Sequence, residues 1–124
     1  MRHGRIERSD GPGVPQAWMA DRWWSRLRGL MGRAPLAADG SEALLIRPCA
    51  SVHTLGMGYP LDLVFLDREG AVLGWREQLR PWRAAACRAA AVTVEFHGGA
   101  LQRLQPRQGE YWRWEAGAGD GAPA

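Results

Sequence analysis

Cys49, His53, Cys87 and His97 are the side chains best suited to ligate a metal or attack an electrophile. Two thiols and two imidazoles make a nominal zinc set, since zinc takes sulfur and nitrogen ligands in a tetrahedron. The spacing argues against it. Ser51-Val52-His53-Thr54 is short and β-branched and reads as a strand. In extended backbone, positions four apart such as Cys49 and His53 lie roughly 13 Å from each other. No metal site and no cofactor are therefore expected. The other chemistry is nucleophilic: Cys49 or Cys87 activated by His53 or His97, with Asp62 or Glu95 orienting the imidazole. The residue types are present, but a lone cysteine is more often a small buried hydrophobe. A small Cys/His/Asp enzyme is thus the lesser expectation.

A nucleic-acid partner is weighed on charge and aromatic content. The 124 residues carry 16 basic side chains, all arginine, 13 acidic ones and seven tryptophans, for a formal net charge of +3. Tryptophan stacking with arginine–phosphate contacts is the pattern of a single-strand binder. The excess charge is small, however, and most tryptophans fall at inward positions of a helix or strand. The absence of lysine and asparagine points to a composition bias rather than to placed arginines.

The better reading is a non-catalytic binding or accessory module. Its site would lie near the Gly-rich link within residues 53–62, where His53, Thr54 and Asp62 converge and Met57 forms a soft apolar wall. The partner would be a small ligand or a protein of unknown identity. Asp62 is the odd residue, because it shares a strand face with Val64 and Leu66. A carboxylate there must be paired or hydrogen-bonded, and its expected role is to bind backbone N–H groups of the link Gly56 to Pro60 or a nearby arginine.

The elements that position these residues are mostly strands. Leu61 to Leu66 is apolar on both faces and reads as a strand buried on both sides. Asp67-Arg68-Glu69-Gly70 reads as a tight hairpin leading to a partner strand, Ala71 to Glu77. Further strands are expected at Val14 to Ala20, Ala43 to Arg47, Ala91 to His97 and Tyr111 to Glu115. One short N-terminal helix is expected at residues 22–31, capped by Asp21, with Trp23, Leu27 and Leu30 at helical spacing. Ala84 to Ala91 is alanine-rich and reads as a helical turn. The fold class is mostly β, a small β-sandwich or barrel-like single domain over residues 14–115. Residues 1–13 read as a disordered arm and 116–124 as a disordered tail. No apolar run reaches the roughly eighteen residues of a membrane span. The leading residues lack a signal's apolar core, so a cytoplasmic location with reduced cysteines is expected.

Three ordered pieces carry a family resemblance: Arg28-Gly29-Leu30-Met31-Gly32-Arg33; His53-Thr54-Leu55-Gly56-Met57 with Pro60-Leu61-Asp62-Leu63-Val64-Phe65-Leu66-Asp67; and Val92-Thr93-Val94-Glu95-Phe96 with Gly98-Gly99 and Gly109-Glu110. Their order and spacing, over roughly residues 17–115, resemble the domain-of-unknown-function 192 family. That family has no agreed activity, so the resemblance implies a compact, mostly β fold. It also places Arg33 and Asp62 in one signature, which makes Arg33 the expected arginine partner and a further site residue.

Overall fold

The computed structural model describes residues 1–20, 34–47 and 58–117, and the backbone of residues 51–53. Its strands are β1 (Arg2–Arg8), β2 (Val14–Ala20), β3 (Glu42–Ile46), β4 (Ser51–His53), β5 (Leu61–Leu66), β6 (Val72–Leu79), β7 (Ala84–Ala86), β8 (Val92–His97) and β9 (Trp112–Ala116), with a short helix α1 (Ala100–Leu104) before β9. The helix expected at residues 22–31 lies outside the described residues.

Seven strands form one sheet in the order β6-β5-β8-β3-β2-β1-β9, and β4 and β7 form a separate two-stranded ribbon. Within the large sheet only β2 and β3 run parallel. A parallel pair needs a long crossover, and residues 21–41 supply it. The sheet curls until its two edge strands meet. Ala71 and Tyr111 form a bridge there, and Val72 N–H donates to the Glu110 carbonyl at 2.8 Å. This is a half-barrel closed at one end, consistent with the barrel-like, mostly β domain expected from the sequence.

Alternation along each strand divides the apolar residues between two cores. Val64, Val94, Phe96, Met19, Leu45 and Trp112 fill the inside of the curl with α1. Leu44, Ile46, Leu61, Leu63, Phe65 and Leu79 form a second cluster on the outer face, to which Ala85 of the ribbon contributes. All six residues of β5 are buried, as its two apolar faces require. The hairpin after it forms as its sequence dictates. Gly70 takes φ +90°, and the Asp67 carboxylate accepts the N–H groups of Glu69 and Ala71 at 2.9 Å each.

Three local expectations are corrected. The arm expected over residues 1–13 contains β1, an interior strand paired with β2 and β9. A strand wet on one face needs only alternate residues inside; here Gly4 and Ile6 supply them, and the charged residues between mask the pattern. Gly4 is there for clearance: a Cβ would stand 2.0 Å from the Glu115 carbonyl oxygen. The helical turn expected in Ala84 to Ala91 is β7, because pairing with β4 overrides alanine's helix propensity. The tail expected from 116 starts later. Ala116 ends β9 and Gly117 N–H donates to the His3 carbonyl, while residues 118–124 lie outside the described residues.

Candidate functional site

Asp62 enters β5 just after Pro60, facing the inner core opposite Phe96. It is fully buried, and its partners are backbone N–H groups: Gln78 on one oxygen at 2.8 Å, Gly99 and Leu101 on the other at 3.0 Å each. The first fixes an irregularity in β6, where Gln78 takes φ +56° and the register with β5 shifts. The other two tie down the start of α1. The kind of partner is the expected one, but its place is not. The carboxylate caps the β6 irregularity and α1 rather than the link Gly56 to Pro60. Its oxygens are directed into the fold, onto these backbone groups.

The outer face holds the less satisfied chemistry. Thr93, Glu95 and His97 alternate outward along β8. Glu95 lies across from Leu63 on β5 and Leu44 on β3, and Leu44 is opposite Trp18 on β2. One row therefore runs Trp18, Leu44, Glu95, Leu63 over four strands. Glu95 is only 4% exposed. Burial disfavours the anion and pushes its pKa up to about 8. That favours the protonated carboxyl at neutral pH, which can donate a hydrogen bond.

Tyr59 reaches the same face from the end of the link. Its ring stacks on His97, with centroids 4.8 Å apart and planes 7° from parallel. His97 is held in turn through Nδ1, which meets the Gly98 carbonyl at 2.9 Å. The Tyr59 hydroxyl is buried and makes no well-formed hydrogen bond to a described group, although the Leu36 backbone bears on it. Its pKa is raised first by burial and then by Glu95, with the Leu36 backbone acting the other way. Beside this group a cleft of about 420 Å³ opens over β2 and β3, lined by Trp18, Pro35, Leu36, Glu42 and Leu44 among others. The Glu42 carboxylate already accepts the Ala37 N–H at 2.6 Å.

The other sequence-derived candidates divide plainly. His53 contributes backbone to β4, paired with Ala84, and its side chain lies outside the described residues. Arg33, Thr54, Met57 and Cys49 also lie outside them. Cys87 is half-buried at the edge of the outer cluster, and among the described residues no histidine or carboxylate hydrogen-bonds to its thiol. Among the described residues no three His, Cys, Asp or Glu side chains gather as a metal would require. Tyr59 was not legible as a site residue. Glu95 was, as a possible orienting carboxylate, and His97 was, as a possible metal ligand or catalytic base. The available signal was the Thr93-Glu95-His97 alternation within a strand whose neighbours are apolar on both faces.

Residues 5–114 match the model of the DUF192 family, described as an uncharacterized ACR. No functionally curated protein matches the chain. Two solved structures share the fold. One is a protein of unknown function from Novosphingobium aromaticivorans DSM 12444, with TM-score 0.77 and 18% identity over 90% of this chain and 85% of that one. The other, from Sinorhizobium meliloti 1021, is provisionally described as a transcription regulator, with TM-score 0.75 and 20% identity over 91% of this chain and 92% of that one.

Proposed function

Since the chain belongs to the DUF192 family, which is itself uncharacterized, we propose a function from the site alone: a non-catalytic module that binds a small ligand in the outer-face cleft. The observation that carries this is the Tyr59 hydroxyl, buried without a well-formed hydrogen bond to a described group, on the face that holds Glu95. A buried polar group left unsatisfied costs roughly 1–3 kcal/mol, and such a group near a cleft suits a bound molecule that satisfies it. The proposal keeps the link as part of the site. His53, Thr54 and Met57 precede Tyr59 in the chain, Arg33 precedes Ala34 on the cleft wall, and Asp62 anchors the strand that follows. A cytoplasmic location is proposed with it, supported by the free Cys87 thiol; cell fractionation checks this.

Native mass spectrometry after incubation with a metabolite extract tests the binding role. The wild-type chain should retain a small molecule that Leu36→Trp, which fills the cleft, does not. Retention of nothing, or of the same species by both proteins, would defeat the proposal.

A second reading has one specific support. Trp82 is 64% exposed in a turn, with φ +63°, between Arg80 and Arg83. A bulky residue held in the left-handed region is unusual, and an exposed indole offers a stacking surface for single-stranded nucleic acid. The provisional description of the S. meliloti neighbour is compatible with this. Loss of oligonucleotide binding in Trp82→Ala would favour it; no binding by the wild type at low salt would remove it.

No helix among the described residues is long and apolar enough to cross a membrane.

A further inference from the structure

The walls of the outer-face cleft narrow the class of ligand it would take, and this step rests on the ligand-binding reading above. Trp18, Leu36, Glu42 and Leu44 all line the cleft. In the parallel β2–β3 pair, Gln16 lies across from Glu42 and Trp18 across from Leu44. Trp18 and Glu42 are therefore diagonal neighbours on one face of the sheet, their backbones roughly 8 Å apart by strand spacing and rise. Both residues are half-buried. The indole is braced on its β1 side by His3, whose ring centroid lies 5.2 Å away and whose Nε2 is bonded to Gln16. One Glu42 oxygen accepts the Ala37 N–H at 2.6 Å, which fixes the carboxylate. An ionised carboxylate has about four acceptor positions, so one bond leaves capacity on it.

We propose that the cleft takes a small primary ammonium carried on an apolar body, with the ammonium between Trp18 and Glu42 and the body along Pro35, Leu36 and Leu44. An indole attracts a cation to its ring through its quadrupole. A carboxylate beside it adds a charge-assisted hydrogen bond and offsets the desolvation of the cation. An anion fits poorly, because the described wall carries Glu42 and no arginine. Met1 at the rim is 43% exposed, so its α-amino group lies in water, where its charge acts weakly on the cleft. A neutral ligand would use the apolar wall and leave Glu42 idle. The volume of about 420 Å³ accommodates a single ring with a short side chain.

Calorimetry at neutral pH and low salt with 2-phenylethylamine and 2-phenylethanol tests this, since the two differ only in the headgroup. The amine should bind the wild-type chain at least about tenfold more tightly, the scale of one charge-assisted contact. High salt should weaken the amine and leave the alcohol unchanged. Glu42→Gln keeps an amide oxygen for the Ala37 N–H and removes the charge; it should abolish most of the amine's advantage. Trp18→Leu should reduce that advantage about fivefold, the scale of a partly desolvated cation–π contact. Urea midpoints confirm that each variant folds. Equal affinity for the two compounds would overturn the ammonium assignment. Loss of both in Leu36→Trp would then keep the cleft as a binding site, and retention of both would remove it as well. Binding of neither compound would overturn the proposal and leave the metabolite capture to decide the cleft. An amine advantage unchanged in Glu42→Gln would also overturn it.

Discussion

Glu95 and Asp62 are both carboxylates on neighbouring central strands, and their surroundings give them opposite parts. Asp62 accepts three backbone N–H groups, so Asp62→Ala leaves those of Gln78, Gly99 and Leu101 without an acceptor. The expected cost is about 1–3 kcal/mol, with Asp62→Asn milder because it keeps one acceptor. Urea melts measure the cost, and faster hydrogen exchange at the Leu101 amide would place the damage at α1. The burial of Glu95 carries a pH signature. Unfolded, it ionises near its ordinary value of 4.5; folded, near 8. Between those pH values the folded chain holds one more proton than the unfolded chain. Its contribution is therefore fully present below the lower value and lost as pH rises through the upper one, by about 1.4 kcal/mol per pH unit. Glu95→Gln lacks that slope. The variant should gain on the wild type between about pH 5 and about pH 8, and a constant difference in urea midpoint across that interval would show that Glu95 is already ionised in the fold.

At the scale of elements, β1 decides most about how the sheet closes. Arg8 at its end is almost wholly buried and forks onto both Glu110 oxygens at 2.9 Å each; it also donates to the Pro12 and Leu104 carbonyls. Burial works against the Glu110 anion, but bonds from Arg8, the Arg107 N–H and the Trp112 indole outweigh it and hold its pKa below the ordinary value. One cluster thus ties β1, α1 and the start of β9 together. Arg8→Ala would leave Glu110 buried without its countercharge, at an expected cost of about 3–5 kcal/mol. Its denaturation midpoint at neutral pH gives the number. The loss should shrink in acid, once Glu110 is protonated in both proteins. The element was hard to read from sequence because Arg8 looks like a solvated charge until its partner, 102 residues away, is known.

For the whole molecule, the first and last described strands lie side by side in the sheet, since β1 sits between β2 and β9. Deleting residues 1–8 would expose the edges of both neighbours and remove Ile6 from the inner core. The shortened chain should lose its single cooperative unfolding transition, as followed by circular dichroism and fluorescence together. A disordered arm would instead be removed without effect, so a transition superimposable on that of the full chain would contradict the observed topology.

The sequence by itself determined the parts that depend on neighbours within a few residues. Apolar faces on both sides made Leu61–Leu66 a central strand, and Asp67 with Gly70 made the hairpin, because alternation and turn chemistry are local. The mostly β character followed from many such short segments. Only the tertiary structure decided what each polar residue meets. Asp62 finds Gly99 and Leu101 at sequence separations of 37 and 39, Glu95 has its pKa raised by burial with Leu44 and Leu63 beside it, and Tyr59 stacks on His97. A strand's pattern states which side chains share a face. What that face packs against, and whether a carboxyl on it is charged, is set by distant strands.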